Sequence, residues 1–191
     1  MLIFLLLVSN PSDAQYRQLN YKIVQGGDEI GWMKLEKSLE GNRMNLVLIS
    51  EIRTRIIFLI TVNARETSTF ENGRLIHSSQ FRKTNGSTKV DKRTSLVSDR
   101  YVIMKNGERQ NTNISYISTN LLSLYFNEPV GVRQVYCDNH ECFVQLVKTN
   151  DGGYKLNFPD GNSNTFYYSG GICSKIKINH TFYSAEIILK S

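Results

Sequence analysis

The chain has 191 residues, 40% hydrophobic and 21% charged, with 13 Gly, 3 Pro and 3 Cys. These values exclude a collagen, a coiled coil, a disulfide-dense miniprotein and a long disordered tail, and the length suits one sizeable core rather than two domains. Its 10 Tyr and 9 Phe favour sheets over helical bundles, and a formal charge of +6 permits weak attraction to anionic partners.

Leu2 to Val8 form an unbroken apolar run, followed by Ser9-Asn10-Pro11-Ser12-Asp13-Ala14. The run is far short of the roughly 20 residues a spanning helix needs, but it has the length of a signal-peptide hydrophobic region. Pro11 ends it, and Ser12 and Ala14 supply the small side chains a signal peptidase accepts. No Lys or Arg precedes the run. The expectation is a signal peptide over residues 1–14, cleavage before Gln15, and a soluble, exported chain (periplasmic or extracellular) with one domain over 15–191.

Beyond Ala14 the sequence is punctuated by Gly26-Gly27, Gly41-Asn42, Asn72-Gly73, Asn85-Gly86, Asn106-Gly107, Gly152-Gly153, Gly161-Asn162 and Gly170-Gly171. Such pairs supply the positive φ of tight hairpin turns. Between them apolar and polar residues alternate. Leu19, Tyr21 and Ile23 share a face, as do Ile56, Phe58, Ile60, Val62 and Ala64, and later Tyr183, Ala185, Ile187 and Leu189. Period two over these lengths means strands with one buried face. Arg43 to Glu71 is too long for one ordinary strand and is expected to break near Arg53 to Arg55. One helix stands out, Ser118 to Phe126, capped by Ser118 or Thr119 and stopped by Pro129. The fold class is therefore all-β: a single curved antiparallel sheet, or a partly closed half-barrel, with one short helix.

The charge is uneven. Residues 51–110 hold twelve Lys/Arg against six Asp/Glu, and the rest of the chain beyond the leader is nearly balanced. The density peaks around the turn Asn85-Gly86, where Arg82, Lys83, Lys89, Lys92 and Arg93 would present a basic hairpin tip to an anionic surface. The same residues would equally serve as the solvated charges that protect a sheet edge. No aromatic residues interleave with them, so nucleic acid is not the expected partner.

Cys137 and Cys142 bracket Asp138-Asn139-His140-Glu141 between two apparent strands, a spacing compatible with a cross-strand disulfide; Cys173 would be left over, and its pairing with either partner stays open. A metal site from Cys137, His140, Glu141 and Cys142 lacks the spacing of a zinc knuckle, and His140-Glu141 lacks the second His of a zincin because Val144 stands there. Ser78 and Ser79 beside His77 lack a nucleophile elbow, and Asp28, Glu29, Asp151 and Asp160 fall in turns. No catalytic residue, metal or cofactor is expected. Trp32, Phe58, Tyr125 and Tyr168 are the candidates for lining a hydrophobic ligand cavity inside the curved sheet, with core packing as the ordinary alternative.

Several short motifs carry a resemblance. Tyr21-Lys22-Ile23-Val24 followed by Ile30-Gly31, Phe70-Glu71-Asn72-Gly73, Leu124-Tyr125-Phe126-Asn127-Glu128-Pro129 and Tyr167-Tyr168-Ser169-Gly170-Gly171 resemble an uncharacterised family of exported Bacteroidota proteins, DUF6134. That pattern is similar in turn to DUF3108 and to the half-barrel lipoprotein carriers of the envelope. The resemblance implies a curved β-sheet that holds acyl chains, and it carries no catalytic residues. The functional expectation is a non-enzymatic envelope protein that binds a hydrophobic or lipid-like ligand in its concave face. The alternatives are a structural or interaction subunit with an envelope protein partner and no cavity, and, third, a hydrolase in which a His meets a carboxylate or hydroxyl.

Overall fold

The turn chemistry dictates the architecture. Asn72-Gly73, Asn85-Gly86 and Asn106-Gly107 each place both residues at positive φ (51° and 73°, 48° and 80°, 52° and 87°), the backbone of a two-residue hairpin whose twist matches its strands. In the computed structural model, which describes residues 15–55 and 59–190, such turns link long antiparallel strands: β1 (Gln15–Gln25), β2 (Asp28–Glu40), β3 (Arg43–Arg55), β4 (Leu59–Glu71), β5 (Arg74–Thr84), β6 (Ser87–Val97), β7 (Arg100–Lys105) and β8 (Glu108–Asn111). After a crossing segment come β9 (Gln134–Cys137), β10 (Cys142–Lys148), β11 (Tyr154–Asn157), β12 (Ser163–Ser169), β13 (Ile172–His180) and β14 (Tyr183–Leu189). The leader expected over 1–14 and the candidate Phe58 lie outside the described residues. The expected break in Arg43–Glu71 falls after Arg55, where β3 and β4 pair from Arg55↔Leu59 to Arg43↔Glu71.

All fourteen strands form one antiparallel sheet in the order β8-β7-β6-β5-β4-β3-β2-β1-β14-β13-β12-β11-β10-β9. The sheet is two meanders joined at the middle, where β1 meets β14 from Tyr21↔Leu189 to Val24↔Glu186. Its edges, β8 and β9, do not pair with each other, so the sheet is curved but not closed. Bulges between Ile23 and Val24, Thr69 and Phe70, Arg82 and Lys83, and Tyr167 and Tyr168 add the local bend and twist that curl it. The all-β half-barrel expectation is borne out.

The core lies on the concave face. Leu19, Tyr21 and Ile23 of β1, Met33 and Leu35 of β2, Leu46 and Leu48 of β3, and Phe166, Ile176 and Ile187 from the other meander are all buried. Full burial of such side chains contributes about 1.5–3 kcal/mol each. The predicted helix is a 3-10 helix, Leu121–Tyr125, and its cap is Asn120 rather than Ser118 or Thr119: the Asn120 side chain accepts from Ser123 N at 3.2 Å. The helix lies in the trough, with Leu122 and Leu124 buried against the sheet. It fills one part of the concave face and leaves the other open.

Candidate functional site

The open part of the trough is a cavity of ≈ 530 Å³, within the roughly 300–1,000 Å³ typical of small-molecule sites. Its apolar wall comes from the inward phases of β1, β2, β3, β4, β13 and β14, among them Ile23, Met33, Leu48, Ile52, Val62 and Ile187; Leu121, Leu122 and Tyr125 close one end. Polar groups share the lining: Ser50 of β3 and Glu66 of β4 stand among the apolar ones, and Arg82 and Thr84 of β5, Asn139 and His140 of the β9–β10 turn, Asp160, Asn162 and Asn164 before and in β12, and His180 of β13 complete it.

These polar groups are ordered by their neighbours. His140 stacks on Phe158 with ring centroids 5.5 Å apart, and its Nε2 lies 3.6 Å from Asp160 Oδ2. Asp160 accepts from the backbone N–H of Asn162, which holds its carboxyl below the usual range. Arg82 donates to Asn139 Oδ1 at 3.2 Å. Glu66 is half-buried, lines the cavity, and has its pKa raised by burial first and by the nearby Asp138 second.

Behind this wall lies a polar cluster that anchors the β9–β10 hairpin across the concave face. Asp138 is 7% exposed and accepts from Ser78 Oγ at 2.5 Å and from Asn120 Nδ2 at 3.2 Å, while Asn120 also donates to Ser68 Oγ at 2.7 Å. Lys92, 4% exposed, donates to the carbonyls of Asp138 and Asn139 at 3.0 and 3.1 Å and pairs with Glu141 Oε1 at 2.6 Å; Lys105 reaches the same oxygen at 3.1 Å. Burial raises the Asp138 pKa, whereas Glu141 is lowered: its own burial opposes this, and the bonds from Lys92 and Lys105 outweigh it.

The sequence-predicted site residues are thus divided. Tyr125 lines the cavity, edge-on to Tyr21 and Phe166. Tyr168 packs edge-on to Tyr154 and donates to Leu124 O at 2.9 Å, so it holds the 3-10 helix rather than lining the open space. Trp32 is a correction: it stands beside Lys22 and Glu51 on the convex face and is 42% exposed, because the alternation that turns Met33 and Leu35 inward turns Trp32 out. The basic tip is corrected in part. Lys83, Lys89 and Arg93 are exposed, but Arg82 and Lys92 share the inward phase of β5 and β6 and face the concave side. Cys137 and Cys142 are cross-strand partners as expected, but their thiols are free, as is that of Cys173. Burial pushes the Cys137 thiol up to about 11 and the Cys173 thiol up to about 12.

His77 Nδ1 lies 3.0 Å from Ser95 Oγ, half-buried, with its pKa lowered by burial and then by Arg93. The metal set considered for Cys137, His140, Glu141 and Cys142 is split, since His140 turns to Asp160 and Glu141 to the two lysines. Sequence reasoning passed over Glu66, Asn120 and Asp138 and misplaced Lys92. The available signal was a run of polar residues at inward phase, Ser68, Ser78, Gln80, Lys92 and Thr94, all of them buried.

A family model for a domain of unknown function, DUF6134, matches residues 21–190. The chain belongs to DUF6134. That span begins in β1 and ends just beyond β14, so the DUF6134 domain comprises both meanders and the cavity between them. No curated protein matches the chain. Among solved structures it is similar to the crystal structure of a beta-barrel-like protein of the domain of unknown function DUF1849 from Brucella abortus, with a TM-score of 0.61 and 11% identity over 92% of this chain and 95% of that one. At that identity the likeness shows a shared barrel-like fold. Among the described residues no helix is long and apolar enough to cross a membrane.

Proposed function

We propose that this DUF6134 domain is an exported binding protein whose trough holds an amphipathic, lipid-like ligand. The observation that carries the reading is the cavity of ≈ 530 Å³, whose lining combines apolar side chains with charged and amide ones. An acyl or other hydrocarbon segment would lie along Ile23, Met33, Leu48, Ile52 and Val62, and its polar end would face Arg82, Asn139 and Asn164. The contact a hydrolase would need is present in the lining, with His140 Nε2 3.6 Å from Asp160 Oδ2, so the binding reading rests on the mixed apolar and polar lining of the cavity and not on the histidines. An interaction subunit without a ligand would call for a filled trough, and the cavity favours the first reading.

The test is native mass spectrometry of the protein purified from its own cells, alongside titration with a fluorescent fatty acid. Ala64 lies on the cavity wall, so Ala64→Trp fills the space with an indole. The expected result is a lipid-sized adduct on the wild type, with loss of the adduct and at least about tenfold weaker probe binding in A64W at unchanged melting temperature. A wild type that carries no adduct and binds the probe no better than A64W would overturn the reading.

A further inference from the structure

Both ends of the half-barrel carry exposed apolar side chains, Tyr16, Val97 and Tyr116 at one and Leu59 and Phe182 at the other, and the ends differ in charge. At the end away from the cavity mouth, the β2–β3 and β4–β5 turns are flanked by Glu40, Arg43, Glu71 and Arg74, which are successive cross-strand partners and alternate in sign. Asp99 and Arg100 follow at the β6–β7 turn. That end is electrically balanced.

The mouth end is not. Strand register places Ile23, Gly31, Ile52, Val62 and Thr84 at one level of the sheet, and Ile187 joins it as the partner of Ile23. From this level β3 runs outward to Arg55, β4 comes back from Leu59, and the β13–β14 turn lies beyond Tyr183. Leu59 and Phe182 project here at 62% and 85% exposure, and the exposed Arg55 is the direct partner of Leu59. Lys83 and Lys89 flank the neighbouring Asn85-Gly86 turn, both exposed. Two acidic residues near this end are in ion pairs, Glu29 with Lys190 at 3.0 Å and Glu51 with Arg53 at 2.8 Å. Asp28 at the β1–β2 turn and Glu108 at the β7–β8 turn are exposed, and Asp91 lies on β6 two residues from Lys89. His180 stacks on Tyr183 at 4.6 Å and so braces the turn from which Phe182 projects.

An exposed Phe and Leu rimmed by cations is the combination that anionic bilayers bind: the apolar tips enter the head-group region and each Lys or Arg meets lipid phosphate. We propose that this rim is a docking surface for anionic membranes, with Leu59 and Phe182 inserting and Arg55, Lys83 and Lys89 contacting the head groups. Docking there sets the cavity mouth against the bilayer, with no hydrated gap for an amphipathic ligand to cross. The surface itself does not depend on the cavity being occupied.

The test is co-sedimentation of the full-length mature protein with vesicles of equal parts phosphatidylglycerol and phosphatidylcholine, compared with phosphatidylcholine alone. The wild type is expected to bind the anionic vesicles and to release as salt is raised. R55Q/K83Q/K89Q and L59S/F182S should each weaken binding by about tenfold or more, with unchanged melting curves. R43Q/R100Q at the opposite end should bind as the wild type does. A wild type that does not prefer anionic vesicles, a triple variant that binds undiminished, or an opposite-end variant that loses as much would each overturn the proposal. A64W separates the two readings, since blocking the cavity leaves the rim intact and vesicle binding should persist.

Discussion

Lys92→Met removes the ammonium at the centre of the hairpin anchor while keeping most of the side chain's length and apolar stem. In the folded protein that ammonium satisfies the Asp138 and Asn139 carbonyls and pairs with Glu141 at 2.6 Å, at 4% exposure. Hydrogen bonds to a charged group contribute about 1.5–3 kcal/mol each, which over these contacts overstates the loss. Two effects offset it: the ammonium no longer has to be desolvated, and Lys105 still neutralises Glu141. The net expectation is a loss of about 3–5 kcal/mol, the usual cost of removing one partner of a buried pair. Lys89→Met, on the same strand but exposed, should change stability by less than about 0.5 kcal/mol. Urea unfolding followed by far-ultraviolet circular dichroism measures both. The reasoning fails if K92M costs no more than K89M. It also fails if K92M/E141Q is as destabilised as the two single losses together, because the pair would then not be coupled.

Two further outcomes follow from the same geometry. Glu66 has its folded pKa raised above the ordinary carboxylate value, so its contribution is fully present in acid and is lost as pH rises through the folded value. Glu66→Gln should therefore be more stable than the wild type at neutral and alkaline pH, with the difference shrinking towards acid; a constant difference across a pH series of urea midpoints would refute the assignment. Gly31→Ala should destabilise by about 1–3 kcal/mol, because a Cβ there meets Glu51 O and lies 2.9 Å from Ile52 Cα in the neighbouring strand, where only backbone movement can relieve it. A thermal melt unchanged by G31A would show that β2 and β3 can part without cost.

What was legible in the sequence is what short-range chemistry decides. The Asn-Gly and Gly-Gly pairs mark hairpins because only positive φ closes those turns, and period two separates core from solvent within each strand. The β6–β7 turn shows the limit of that signal: it closes with Ser98 at φ 59° beside Asp99, a dipeptide without glycine. Trp32 and Lys92 were misplaced for a different reason. Size singled out the Trp and charge singled out the Lys, whereas their phase decides which face each one takes. Met33 and Leu35 beside Trp32, and Thr94 beside Lys92, set that phase locally. Asp138 was illegible because its partners stand far off in the chain, with Ser78 60 residues away and Lys92 46. Only the curl of the sheet brings them together.

That curl also explains why the trough is empty at one end. An all-apolar concave face would draw the crossing segment down along its whole length. Here the inner faces of β4 to β6 carry Ser68, Ser78, Gln80, Lys92 and Thr94, all buried, with Glu66 and Arg82 on the cavity wall. Burying those groups against hydrocarbon would leave them unsatisfied at about 1–3 kcal/mol each, more for the charged ones. The chain instead lays the β9–β10 hairpin over them, where Asp138 meets Ser78, Asn139 meets Arg82 and Glu141 meets Lys92; Asn120 meets Ser68, and Gln80 Oε1 stays buried without a partner. The hairpin occupies the polar side of the trough and Leu122 and Leu124 of the 3-10 helix occupy the apolar side. Between them, long strands locked by pairing on both flanks cannot close in, and the space bounded by Ile52, Val62, Arg82 and His140 persists. Because that space mixes Ile52 and Val62 with Arg82 and His140, the ligand proposed for it is an amphiphile.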